Sequence, residues 1–269
     1  MFNIKENFNM FAFGRVGWNL AIVALLAIWV IAIQQTNNKT IQDIQIDVDS
    51  IEGMRDLIVK DEMLDVLNDV SAVNIKTASI KKLDIRQIEA AIKDDNRVHD
   101  ADIYIDAQHT LHVNIEQRRP ILRFKGDNGQ DYYLDQGGSY VSKSQYRAVR
   151  VPIVTGYFNK YQPNWTVNDD NRINKAYEIG SVINKDDFLR SLIEQIHFER
   201  SGRIVLVPKV GDHKIVLDYM DNLERKLSYN LKRFYKQMAK DNMWGKYDEL
   251  DISYKNQIVG RTLEPQPRP

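Results

Sequence analysis

Five histidines, His99, His109, His112, His197 and His213, are the side chains of this sequence that could ligate a metal or move a proton near neutral pH. Only His109 and His112 stand close together, and they straddle a turn and a strand with no third ligand nearby. A metal site needs three or four converging ligands, so all five read as surface histidines. Ser79-Ile80-Lys81-Lys82 matches the Ser-x-x-Lys of penicillin-binding enzymes. The Lys-Thr-Gly and Ser-Asp-Asn elements that complete that machinery are missing from the sequence. Gly-x-Ser-x-Gly, His-Glu-x-x-His and a Gly-x4-Gly-Lys phosphate loop are missing too. Asp169, Asp170, Glu194 and Glu199 are candidates for a glycosidase-like carboxylate pair, but nothing in the sequence places two of them together. With no cysteine there is no thiol nucleophile, thiolate ligand or Cys-x-x-Cys redox centre. The sequence predicts no catalytic residue, no metal and no cofactor.

Charge narrows the partners. Lysine plus arginine and aspartate plus glutamate number 37 each, a formal net charge of zero. Nucleic acid and other polyanions call for a basic surplus, which is not present.

The elements that carry these residues begin with an apolar run. From Val16 to Ile33 the chain reads VGWNLAIVALLAIWVIAI, 18 residues without a charge. As a helix this is about 27 Å long, close to the roughly 30 Å of a bilayer core. A cleaved signal peptide has a shorter apolar region and a small-x-small site, neither of which occurs here. The reading is a transmembrane helix over 16–33, with Trp18 and Trp29 at the two membrane interfaces. Lys5 and Arg15 against Glu6 in the 1–15 leader place the N-terminus in the cytoplasm by positive-inside bias. A linker over 34–39 follows, and about 235 residues then lie across the membrane, enough for two ordinary domains. Without disulfides those domains must be stable through their cores.

The first of them occupies 40–118. Ile44, Ile46 and Val48 alternate as a strand. Met63, Leu64, Val66, Leu67 and Val70 recur at helical spacing behind Asp61-Glu62. A second helix is predicted over 84–93, with Asp84 as N-cap and Ile85, Ile88, Ala91 and Ile92 on one stripe. The period then changes to two on either side of Ala107-Gln108-His109, the pattern of a hairpin. Strand, helix, helix, strand, strand makes a two-layer α+β unit that Pro120 ends.

From 119 to 261 the chain reads as mostly antiparallel β, before a disordered tail over 262–269. Arg203–Pro208 and Lys214–Leu217 flank Gly211-Asp212 as a hairpin. Helical spacing recurs at Ile173, Ala176, Tyr177 and Ile179, and again over Leu223–Lys240. The last helix has a stripe of Leu223, Leu227, Leu231, Phe234 or Tyr235, and Met238. Its other face carries Arg225, Lys226, Lys232, Arg233, Lys236 and Lys240 against Glu224. That face reads either as solvated lysines or as a docking surface for an acidic partner or an anionic membrane. The final strand is a natural sheet edge, which another chain can extend.

With its single anchor, β-α-α-β-β module and closing Glu116-Gln117-Arg118-Arg119-Pro120-Ile121, the chain resembles the FtsQ/DivIB family of bacterial cell-division proteins. Asp127–Val141, Val151-Pro152-Ile153-Val154-Thr155-Gly156 and the terminal Leu250–Gly260 stretch resemble further family elements in order and spacing. The resemblance implies that the first module is a POTRA domain and that the protein is a non-enzymatic, bitopic inner-membrane scaffold at the septum, its bulk periplasmic. It implies that the C-terminal region binds FtsB- and FtsL-type division proteins and links them to septal peptidoglycan synthesis. The implied partner-binding residues are Tyr254, Lys255, Asn256, Gln257, Ile258, Val259 and Gly260, with Arg233 and Lys236 added from the basic helix. Where the family commonly has a basic residue before the tyrosine, this chain has Ser253. The alternatives are a membrane-tethered periplasmic enzyme acting on peptidoglycan, and an outer-membrane assembly protein, which would need a β-barrel that the few strands here cannot supply.

Overall fold

Apolar spacing and capping side chains fix the helices. The computed structural model describes residues 18, 20–30, 39–51, 55–71, 75, 78–127, 129–166, 171–218 and 220–262. Trp18 and residues 20–30 are helical, and every one of these side chains is exposed. The rest of the apolar run (16, 17, 19 and 31–33), the leader and the tail from 263 lie outside the described residues. Among the described residues no helix is long and apolar enough to cross a membrane.

The chain divides into two compact units, discontinuous in sequence. Most of β1 (Asp43–Val48), then α1 (Lys60–Ser71) and α2 (Ile85–Asp94), then most of β2 (Val98–Ile105) and β3 (Thr110–Gln117) make up the first, with sheet order β1-β3-β2. Asp84 caps α2: its carboxylate accepts from the N–H of Gln87 at 3.1 Å. Ile88 and Ile92 of α2 and Met63 and Leu67 of α1 are buried, as are Leu111 and Val113 of β3. Asp106 and His109 close the β2–β3 turn. His109 takes φ 65, and Asp106 accepts from the N–H groups of Gln108 and Thr110.

The second unit holds Val48–Val59, Asp95–Asp100 and everything from Glu116 on. Its nine strands are β4 (Pro120–Lys125), β5 (Asp131–Asp135), β6 (Tyr140–Ser142), β7 (Ile153–Gly156), β8 (Ile193–Phe198), β9 (Ile204–Pro208), β10 (Lys214–Leu217), β11 (Glu249–Asp251) and β12 (Val259–Arg261). They lie in the order β12-β11-β10-β9-β8-β7-β4-β5-β6. Five joins are antiparallel; β4/β7, β7/β8 and β10/β11 are parallel. The architecture is α+β. A parallel join needs a crossover, and α3 (Arg172–Lys185) with α4 (Asp187–Leu192) supplies the one between β7 and β8. Asn171 caps α3 through the N–H of Asn174 at 3.0 Å, and Asp186 caps α4.

The long C-terminal helix is not uniform. Arg225–Leu231 is π-helical and runs directly into α5 (Lys232–Lys240). Leu223, Leu227, Leu231 and Tyr235 are all buried at a spacing of four. Four residues overshoot an α-turn by about 0.4 residue, so such a stripe drifts round the helix. The wider i→i+5 turn undershoots, and the mixture holds the stripe against the sheet.

Candidate functional site

Because β12 is the outermost strand, one of its edges has no strand partner among the described residues. Its other edge pairs with β11: Glu249 opposite Arg261, Leu250 opposite Gly260 and Asp251 opposite Val259. Leu250 and Ile252 are 0% and 1% exposed, so β11 is anchored in the core. Arg261 reaches back to Glu249 at 3.1 Å and to Asp251 at 3.3 Å, and Arg203 holds Glu249 from the far side at 2.9 Å. This carboxylate–guanidinium ladder ties the short strand to the sheet.

Between β11 and β12 the chain bends at Tyr254, Lys255 and Asn256. Those three and Gln257 are exposed, Tyr254 by 47%. Ile258 and Val259 are half-buried, and Gly260 is exposed. The side-chain amide of Asn230 donates to the carbonyl of Lys255 at 3.3 Å. Ser253 is buried: its hydroxyl accepts from the N–H of Asp218 at 2.9 Å, and its own N–H donates to Asp251 at 3.0 Å. A long basic side chain would not fit that role, so serine here serves the fold.

The predicted basic face is only partly a face. Arg233 and Lys236 are exposed on α5, and no hydrogen bond or ion pair among the described residues ties them to the bend. Lys226, read as solvated, is 1% exposed, and its ammonium meets Asp221 at 3.0 Å. Three residues after Leu223 and next to Leu227, it lies at the edge of the buried stripe. Lys232 faces Asp186 at 3.5 Å and lies over the Phe188 ring.

His213, expected at the surface, is buried instead, its ring hydrogen-bonded to the Tyr235 hydroxyl. Burial pushes its pKa below the usual imidazole range, against the opposing pull of Asp212. His112 stacks on Tyr104 and meets Asp106 at 3.0 Å, and that hydrogen bond helps hold the Asp106 carboxyl below its usual range. No metal-binding group of three His, Cys, Asp or Glu side chains occurs among the described residues. Asp169 and Asp170 lie outside the described residues; Glu194 and Glu199 sit at opposite ends of β8. Trp18 and Trp29 are 71% and 63% exposed.

The sequence model described as FtsQ/DivIB, C-terminal related, matches residues 119–261, which is β4 through β12. The chain belongs to the FtsQ/DivIB family. It is a cell-division protein. No curated protein matches it.

The motifs that resemble the FtsQ/DivIB family have structural explanations. Gln117 is a buried hub: its carbonyl accepts from the N–H of Leu57 at 2.8 Å, and its amide donates to the carbonyl of Asp49 and the carboxylate of Asp56. Arg118 pairs with Asp135 at 2.9 Å, and Asp135 also accepts from Gly137 and Ser139 to close the β5–β6 turn. Gly156 takes φ +83, and a Cβ there would sit 2.2 Å from the Phe198 carbonyl. Sequence reasoning missed Tyr247, whose ring covers Gly260; a lone tyrosine before a short strand carries no signal of that contact.

Proposed function

We propose that this FtsQ/DivIB-family protein is a bitopic inner-membrane scaffold that acts by binding, not turnover. It holds FtsB- and FtsL-type proteins through the β12 edge and so links them to septal peptidoglycan synthesis. The observation that carries this reading is the edge of β12 that has no strand partner among the described residues, beside the exposed Tyr254–Gln257 bend. An edge strand offers backbone donors and acceptors that a second chain can extend, and adjoining side chains select the partner. In this reading Ile258, Val259 and Gly260 supply the backbone, Tyr254, Lys255, Asn256 and Gln257 the side-chain contacts, and Arg233 and Lys236 steer an acidic partner.

Two further elements complete the proposal. The 16–33 run is a transmembrane anchor with Trp18 and Trp29 at its interfaces, the 1–15 leader in the cytoplasm and the bulk in the periplasm. The described part supports this, being helical with large apolar side chains exposed on all sides, a surface that lipid favours and water does not. Residues 40–118 form a POTRA domain, a reading supported by the strand-helix-helix-strand-strand order and the β1-β3-β2 sheet.

The test is co-purification from detergent-solubilised membranes. Truncation before Leu250 would remove buried core residues, so surface variants are needed. Small single-pass partners should accompany the wild type and be lost with Tyr254→Ala/Lys255→Glu. Retention in that variant would move the site elsewhere. If no division protein accompanies either form, the scaffold reading is wrong.

A further inference from the structure

At the end of the nine-stranded sheet opposite the Tyr254 bend lies a cleft of about 440 Å³. It opens where β4, β7 and β8 begin and β9 ends, with β10 and β11 between it and β12. Ile121, Val149, Ile183 and Ile193, each no more than 5% exposed, form its floor.

The wall is a strip of uncommitted backbone. Val149 donates its N–H to the Tyr133 hydroxyl, and the carbonyl of Pro152 accepts from Arg123. Between them, the main chains of Arg150 and Val151 make no hydrogen bond among the described residues. Pro152 biases Val151 toward an extended conformation. An extended strip with free backbone groups beside an apolar floor is what a peptide in β conformation pairs with.

The rim selects the charge of that peptide. The Arg150 side chain is exposed and has no ion-pair partner among the described residues. Lys209 spends its ammonium on the neutral carbonyl of Arg190, at 3.0 Å, so its charge is not balanced. Arg123 and Arg190 are matched by Asp131 and Asp187. Against these stands Glu194, exposed at the rim. Two unbalanced cations face one carboxylate.

We infer that this cleft is a second docking site, which takes an extended acidic peptide whose apolar side chains enter the floor while its carboxylates meet Arg150 and Lys209. The inference rests on the scaffold reading only for the source of the peptide, a segment of another division protein.

The probe is a fluorescein-labelled peptide alternating glutamate with valine and phenylalanine, followed by anisotropy with the full chain in nonionic detergent micelles. A matched peptide with lysine in place of glutamate is the control, and thermal melts check each variant. The acidic probe should bind saturably and the lysine control should not. Arg150→Glu/Lys209→Glu should weaken binding about tenfold or more. Val151→Pro, which removes a free backbone N–H at unchanged charge, should weaken it, and Glu194→Gln should strengthen it. Tyr254→Ala/Lys255→Glu should leave it unchanged, so loss of partners at β12 and loss of peptide at the cleft are separate readouts. No saturable binding, equal binding of the lysine control, or indifference to the Arg150/Lys209 change would overturn the assignment. So would displacement by inorganic phosphate beyond that of sodium chloride at equal ionic strength, which would reduce the rim to a general anion site.

Discussion

The ring of Tyr247 lies so close over Gly260 that a Cβ at that position would meet it at 2.4 Å. Tyr247 in turn leans on Phe234 of α5, ring centroids 5.9 Å apart. The glycine in the terminal family motif is thus a packing requirement, and the contact runs from the helix to the exposed edge. Gly260→Ala should push the ring aside, costing about 1–2 kcal/mol as overpacking, and should loosen β12 against β11. Pairing it with Tyr247→Ala should recover more edge order than either change predicts alone. Hydrogen exchange at Glu249 and Asp251, which stand opposite Arg261 and Val259, together with urea unfolding would measure both, and strict additivity would sink the idea.

Gly156 is constrained by backbone, which cannot move aside. Its φ of +83 and the carbonyl oxygen of Phe198 at 2.2 Å from a built Cβ leave room for hydrogen alone. The backbone on both sides belongs to the parallel β7–β8 join, where Gly156 is opposite Phe198. Gly156→Ala should therefore cost about 3 kcal/mol or more, seen as a drop in urea midpoint. A loss below 1 kcal/mol would mean that β7 shifts freely along β8.

Much of the fold was legible because local periodicity wrote it. The α2 stripe with its Asp84 cap, the β2–β3 hairpin and the β9–β10 hairpin around Gly211 are contacts between near neighbours in sequence. The order of the nine-stranded sheet was not legible, because its parallel joins bring Arg123 beside Ile153, and Ile153 beside Gln195, through long crossovers. Lys226 and His213 were misread for the same kind of reason. A lysine at the edge of an apolar stripe looks solvated until neighbouring elements pack over it, and so does an imidazole next to Asp212 until Tyr235 closes over it. At the candidate site the motif marked Tyr254–Gly260 as a stretch, whereas the bend at Tyr254–Asn256 and the role of Tyr247 depend on tertiary packing. The cleft at Arg150 was not legible either, because the Val151–Gly156 motif supplies only part of its wall and Ile121, Ile183, Ile193 and Lys209 reach it from distant stretches of the chain.

His213 gives the fold a pH dependence whose sign follows from its burial. Its folded pKa lies below the ordinary value of about 6.5, so the unfolded chain takes up the proton first as pH falls. The contribution is intact above about pH 6.5 and is lost progressively as pH falls toward the depressed folded value. Thermal melts should therefore show Tm dropping between pH 7.5 and 5.5, and His213→Gln should flatten that slope while lowering Tm at pH 7.5. An unchanged slope in the variant would assign the acid sensitivity to other groups.

Gln117 makes the sharpest chemical test of the second unit, because it is 2% exposed and uses both ends of its amide. Its carbonyl satisfies the N–H of Leu57, itself fully buried, while its NH2 serves Asp49 and Asp56 at 2.6 and 2.7 Å. Gln117→Met keeps the volume and orphans the buried donor, for a loss of about 1–3 kcal/mol. Gln117→Glu keeps the acceptor but turns an ionised carboxylate toward a carbonyl and a second carboxylate, so at pH 7 it should cost more than Gln117→Met. As the pH falls toward 5, the introduced acid, its pKa raised by these neighbours, should protonate and regain a donor. Its deficit relative to Gln117→Met should then shrink or reverse. Chemical unfolding of the three proteins at both pH values would decide it, and a pH-independent gap would show that the amide's donors contribute little.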